Sequence, residues 1–136
     1  MFGVCVFVVV CCAGFARKLN IIIHLSNDWN PMWGGALQMW SHDEENDKPK
    51  HLVKKIDVKF NRAIIFDTTQ NSWHGLPDPI KCPDNVFRKT LANYYLTKIK
   101  QDTDPRYRAL FVPTKEQENN DNILNLIEER KCIQRQ

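Results

Sequence analysis

Apolar and polar positions along this chain fall into short runs, and within most of them the period is that of a strand, not of a helix. "KLNIIIHL" (18–25) is apolar and β-branched and predicts a strand, and the Asn, Asp, Pro and Gly of "SNDWNPMWGG" (26–35) predict the loop that follows it. "ALQMW" (36–40) predicts a second strand, ended by a polar connection, "SHDEENDKPK" (41–50). "HLVKKIDV" (51–58) alternates in part, "NRAIIFDTT" (61–69) holds a continuous run from Ala63 to Phe66 that reads as buried core, and "FRKTLANYYLT" (87–97) alternates over its length. Five strands with loops between them predict an all-β sandwich or barrel. The tail differs: "DNILNLIEERKCI" (121–133) sets Ile123, Leu126 and Ile127 on one helical face, opens with an Asp able to cap it and closes with basic residues. The expected fold is mainly β with a carboxy-terminal helix.

The start of the chain, "MFGVCVFVVVCCAGFARK", carries no polar or charged side chain other than cysteine from Phe2 to Ala16, a run of 15 residues. A membrane-spanning helix needs ~20, whereas the core of a signal peptide needs ~7–15. Gly14-Phe15-Ala16 offers small residues for cleavage, and such a segment would direct the chain to the secretory pathway. Arg17 and Lys18 follow the run, although a signal peptide carries its charge ahead. Val4, Val6, Val8, Val9 and Val10 suit a buried strand equally. A start foreign to the rest of the chain is the third reading.

Length allows one domain with a modest core, 136 residues in all. Lys and Arg number 19 against 16 Asp and Glu, and the two signs are interspersed, so there is no basic stripe and no nucleic-acid partner is expected. Cysteines at 5, 11, 12, 82 and 132 show neither Cys-x-x-Cys nor a zinc-type Cys/His spacing, and no disulfide framework can be read from them.

Candidate chemistry concentrates after residue 70. His74, in "NSWHGLPDP" (71–79), reads as a loop residue just beyond the 61–69 strand, and Arg88 opens the next strand 14 residues later. Alternation along that strand points Arg88, Thr90, Ala92 and Tyr94 to one face. A guanidinium fork beside a hydroxyl suits a bound carboxylate.

"KLNIIIHLSNDWNPMWGGALQMW", "KFNRAIIFDTTQNSWHGLPDP", "RKTLANYYLT" and "RYRALFVP" occur in this order, and on them the chain from Lys18 resembles the carboxy-terminal half of the iron(II)/2-oxoglutarate dioxygenases, in particular the prolyl-4-hydroxylase-like group. The resemblance implies a double-stranded β-helix, or jelly roll, spanning 18–136, with residues 1–17 set apart from it. It implies Fe(II) held by a His-x-Asp pair and a distal histidine, a facial triad with open positions. It also implies 2-oxoglutarate as co-substrate, decarboxylated to succinate as a substrate carbon is hydroxylated, with ascorbate as an auxiliary factor and a prolyl residue of a protein or peptide as substrate. By position His74 matches the distal metal ligand, Arg88 the partner of the far carboxylate of 2-oxoglutarate, and Thr90 the hydroxyl of an Arg-x-Ser/Thr pattern.

The chain departs from that pattern at the metal. In the family the His-x-Asp pair lies upstream of the strand that "KLNIIIHL" matches, and residues 1–17 contain neither residue type. His42-Asp43-Glu44 is formally a His-x-Glu but reads as solvated charge; His24, whose family counterpart is usually aromatic or apolar, reads as a packed or edge residue; His51 has no carboxylate at a useful offset before Asp57. One imidazole holds Fe(II) weakly, because affinity comes from several preorganised ligands. The expectation is part of a dioxygenase domain that is inactive as it stands, and the alternative is a non-catalytic carboxylate- or peptide-binding module on the same fold. Early strands normally cover the edges of later ones, and uncovered edges pair and aggregate. The chain by itself is therefore expected to fold poorly, and a cooperative thermal transition from a soluble monomer would contradict this.

Overall fold

The computed structural model describes residues 4–5, 10–11, 15–68, 71–98 and 111–132. Among them the strands are β1 (Val4–Cys5), β2 (Val10–Cys11), β3 (Phe15–His24), β4 (Leu37–Asp43), β5 (Lys48–Ile56), β6 (Ala63–Asp67), β7 (Trp73–Gly75), β8 (Thr90–Lys98) and β9 (Phe111–Val112), followed by helix α1 (Asp121–Cys132). One antiparallel sheet has the order β5-β4-β7-β1-β9. In the other, β3 pairs with β8 along one edge and with β2 and β6 along the opposite one. Among the described residues, two antiparallel sheets and one helix make the mainly β architecture that the pattern of runs predicts, consistent with the partial jelly roll that the resemblance implies.

β3 organises the second sheet. Its β-branched Ile21, Ile22 and Ile23 favour the extended backbone, and each is paired on both sides: Ile22 lies between Ile64 and Ala92. The strand begins at Phe15, three residues before the expected Lys18, because β8 continues alongside it as far as the Phe15–Lys98 pair. A bulge between Arg17 and Leu19 absorbs the extra residue. There the Arg17 guanidinium lies 3.9 Å over the Tyr94 ring, a cation–π contact. Of the cleavage-like triplet, Phe15 and Ala16 open β3, with Ala16 buried, and Gly14 lies outside the described residues. So does most of the apolar run before it, of which β1 and β2 are described.

Three other segments differ from the sequence reading. The polar stretch 41–50 is not a loop: β4 runs to Asp43, residues 44–47 turn, and β5 starts at Lys48. Asp43 builds the turn by accepting from the Glu45 N–H at 3.2 Å and the Asn46 amide at 3.0 Å, so the charged residues sit on a hairpin. β5 is an edge strand, and its exposed Lys48, Lys50, Lys54 and Lys55 deter another strand from pairing there. The run Ala63–Phe66 is not buried throughout: Ile64 is buried while Ala63 and Ile65 are exposed, so β6 buries one face only. At α1 the cap is Asn120, whose Oδ1 accepts from the Ile123 N–H at 3.3 Å, and Asp121 belongs to the first turn; residue 133 lies outside the described residues.

The core of the first sheet centres on Trp73, 1% exposed. Its indole N–H donates to His42 Nδ1 at 3.0 Å, and the two rings lie nearly parallel at 12°. A buried indole needs such an acceptor, and the half-buried imidazole at the end of β4 supplies it. Between β3 and β4, Asn30 caps a short 3-10 turn (Pro31–Trp33), which ends in Gly34 and Gly35, both at φ +77°. A Cβ on Gly34 would stand 2.8 Å from the Pro79 carbonyl oxygen, so this loop and the 76–89 segment pack backbone to backbone.

Trp73→Ala is expected to cost about 3–5 kcal/mol, the usual penalty for emptying a large core position, and Trp73→Phe about 1–2, for the lost hydrogen bond and volume. Urea unfolding would show this as two graded shifts in midpoint; equal shifts would mean that the His42 bond and the aromatic volume contribute nothing separable.

Candidate functional site

His74 is not in a loop. It is the middle residue of β7, paired with Met39 of β4 on one side and Cys5 of β1 on the other, in the centre of the five-stranded sheet. A strand of three residues is too short to show a period, so pairing with its neighbours, not local sequence, makes it a strand. The ring is 3% exposed and packs edge-on against Phe66, with centroids 4.6 Å apart. Nδ1 lies 2.7 Å from the Ser72 carbonyl oxygen, which can only accept, so the proton sits on Nδ1 and Nε2 keeps its lone pair. Burial lowers the pKa, and the Ser72 carbonyl opposes this in part. A neutral imidazole oriented through its other nitrogen by a backbone carbonyl is the form in which histidine binds metals.

Arg88 does not open β8, which begins at Thr90. It lies in the irregular lead-in, held from two directions. Nε donates to the Gly35 carbonyl oxygen at 3.0 Å, while the adjacent Lys89 N–H donates to Ser26 Oγ at 2.7 Å and the Leu25 N–H to the Lys89 carbonyl at 2.9 Å. Gly35 is required for this: its φ of +77° is rare for other residues, and a Cβ there would come within 3.0 Å of Arg88 Cδ. Farther back, the loop is tied to the first sheet where Asp78 accepts from Gln38 at 2.7 Å and pairs with Lys55 at 3.2 Å. The Arg88 guanidinium is half-buried; desolvation lowers its pKa, and no carboxylate is among the causes of that shift. Its Nη groups have no hydrogen-bond partner among the described residues.

Thr90 is exposed, and directly across β3 from it is His24. Residues directly opposite in an antiparallel pair put their side chains on the same face. On that rule His24 shares a face with Thr90, Ile22 with Ala92 and Ile64, and Asn20 with Tyr94 and Phe66. The expected common face of Thr90, Ala92 and Tyr94 is thus present, and through Phe66 it looks toward His74. Of the packed and edge readings of His24, the structure shows the packed one, at 0% exposure; the electrostatic influence of Arg88 on it was not legible. Neither ring nitrogen has a hydrogen-bond partner among the described residues.

The other histidines are engaged or remote. His42 is the acceptor for Trp73, Glu44 is exposed in the hairpin turn, and His51 is exposed on β5. Among the described residues no three His, Cys, Asp or Glu side chains come together to hold a metal ion. Tested against Fe(II), the described residues fit as one nitrogen donor, His74, and do not fit as a complete ligand set. For a carboxylate they offer the half-buried Arg88 guanidinium, which forms no ion pair among the described residues, and the exposed Thr90 two positions on. No helix among the described residues is long and apolar enough to cross a membrane.

A sequence model of the 2OG-Fe(II) oxygenase superfamily matches residues 10–85, more than half the chain; the match contains His74 and stops before Arg88 and Thr90. Prolyl 3-hydroxylase OGFOD1 of Mus musculus is 27% identical over 62 residues, which are 46% of this chain and 11% of that protein. Its counterpart from Xenopus laevis is 23% identical over 79 residues, 58% of this chain and 15% of that protein. The aligned part is thus a small fraction of these relatives' length. Both names are those of prolyl hydroxylases, for the 3 position and not the 4.

Two buried histidines make stability depend on pH. Burial lowers the pKa of both His24 and His74 below 6.5, so near that value the unfolded chain binds more protons than the folded one. Stability is highest above about pH 6.5 and declines as pH falls toward the folded-state values. Urea midpoints at about pH 7.5 and 5.5 should differ in that sense, and His24→Gln should flatten the difference; midpoints that do not move would contradict it.

Proposed function

The chain belongs to the 2OG-Fe(II) oxygenase superfamily, and from that premise we propose that the Arg88 cradle binds 2-oxoglutarate in a protein related to prolyl hydroxylases, with a prolyl residue of a protein or peptide as the substrate class. The observation that carries this reading is the half-buried Arg88 guanidinium, which forms no ion pair among the described residues. A charge taken out of water without a partner is costly, and a carboxylate against its free Nη groups would offset that cost. Gly35 fixes the fork through its carbonyl, which leaves Nη1 and Nη2 to receive the far carboxylate, and Thr90 adds a hydroxyl donor. His74 would be one ligand to Fe(II), its lone pair set on Nε2 by Ser72. Iron, when bound, would supply the dioxygen chemistry in which one oxygen atom goes to succinate as 2-oxoglutarate loses carbon dioxide and the other goes to the hydroxyl of the substrate.

With a single metal ligand among the described residues, we propose that the chain in this form binds the dicarboxylate without turning it over. The same absence of a three-ligand cluster favours, as a second reading, a binding module for carboxylates or peptides. The relatives' names point to proline as the target residue, and no ring position is proposed.

The direct test is 2-oxoglutarate binding to the metal-free chain. Loss of a hydrogen bond to a charged group costs about 1.5–3 kcal/mol, so Arg88→Ala should weaken binding about 10–100-fold. Thr90→Val should cost less, a few-fold, and Gly35→Ala should weaken binding by displacing Arg88. Unchanged affinity in Arg88→Ala would place the dicarboxylate elsewhere. Succinate formed from 2-oxoglutarate after Fe(II) is added would refute the proposal of no turnover.

A further inference from the structure

We infer that a dicarboxylate binds this cradle together with a proton, which is taken up by His24. The inference rests on the reading of Arg88 as the carboxylate anchor and adds a second, titrating residue to it.

His24 is directly opposite Thr90 in the β3–β8 register, so its imidazole lies on the face that carries the Thr90 hydroxyl. Its backbone is committed on the other edge, where its N–H donates to the Arg62 carbonyl and its carbonyl accepts from the Asn61 N–H. The ring is wholly buried, yet Nδ1 and Nε2 both lack partners among the described residues. A neutral imidazole carries one donor and one acceptor, and burying both without a protein partner is costly unless a water or a ligand supplies one. Asn20, four residues earlier on the same face and also buried, has its Oδ1 in the same condition, so the polar row extends beyond a single misfitting ring.

The charges that act on the imidazole come from both flanking elements and have one sign. Arg88 approaches from the lead-in to β8 and Arg62 from the turn before β6, where its Nη1 is bonded to the Asp57 carbonyl. No carboxylate is among the groups acting on His24. Burial first, then Arg88, then Arg62, hold the ring neutral in the ligand-free protein. A carboxylate against Arg88 reverses that balance: it offsets the stronger of the two positive influences and provides an acceptor for an imidazolium N–H. Ligand then favours the proton, and by linkage the proton favours ligand to the same extent. Arg88 stays charged throughout the accessible pH range, so an Arg88–Thr90 cradle acting alone would bind with an affinity that does not vary near neutrality.

The sign of the effect follows. His24 titrates below 6.5 in the ligand-free protein and higher in the complex, so affinity rises as pH falls between the two values, by up to about tenfold per pH unit. The experiment is calorimetric titration of the full, metal-free chain with 2-oxoglutarate between about pH 5.5 and 7.5, in buffers of different ionisation enthalpy, which counts the protons taken up. The expected result is uptake approaching one proton, an affinity several-fold tighter at the acid end, and loss of both in His24→Gln while Arg88-dependent binding remains. Binding that Arg88→Ala abolishes, but that takes up no proton and does not vary with pH, overturns the inference and leaves the Arg88 reading standing. Binding that is absent, or indifferent to Arg88→Ala, overturns both. Should His24→Gln not fold, the His24 ring followed by NMR in the wild-type chain decides: a pKa raised by saturating 2-oxoglutarate supports the inference, and an unchanged one refutes it.

Discussion

The register of β3 against β6 and β8 is the constraint from which the rest of the cradle follows. Side chains alternate with a period of two along a strand, so a slip of one residue would carry His24, Ile22 and Asn20 to the opposite face and bring Leu25, Ile23 and Ile21 inward. The register is held from both edges, by β8 over the whole strand and by β6 over Leu19–Ile23. Backbone bonds beyond the end of β3, from Leu25 to Lys89 and from Asn61 to His24, continue the lock to the point where Arg88 emerges. The position of Arg88 is therefore a consequence of strand pairing more than of any contact its own side chain makes.

Two kinds of burial meet on the inner surface. Trp73 is buried and satisfied: its only polar group has an acceptor, and its removal leaves a hole. His24 is buried and Arg88 half-buried at a cost, one with ring nitrogens and the other with a charge that find no partner among the described residues. Burial of the first kind stabilises a fold, and burial of the second kind is tolerated where a fold has something to hold. Their separation is clean here: the satisfied indole belongs to the five-stranded sheet, and the costly pair belongs to the end of β3 and the approach to β8.

What the amino-acid pattern could reveal was whatever has a period or a turn residue. The β-branched centre of β3 and the alternation of 90–97 identify strands because both faces of a strand leave a mark on composition. The 41–50 hairpin escaped because an edge strand faces water on most sides and its residues look like those of a loop; only Asp43, bonding to the turn it precedes, distinguishes the two. β7 escaped because three residues define no period. His74, Arg88 and Thr90 could be singled out by residue type and order, but the Gly35–Arg88 bond spans 53 positions and the His24–Thr90 pairing 66, and nothing local encodes either. The Gly34-Gly35 doublet was the one local sign that a backbone would come close there.

The carbonyl of Gly35 gives the cradle an unusual kind of durability. An arginine oriented by an aspartate is lost as soon as either partner changes, whereas here the orienting group is part of the main chain and survives every change of side chain except one at the glycine itself. The aim of the guanidinium is therefore insensitive to side-chain changes in the surrounding loops for as long as Gly35 and Arg88 themselves remain.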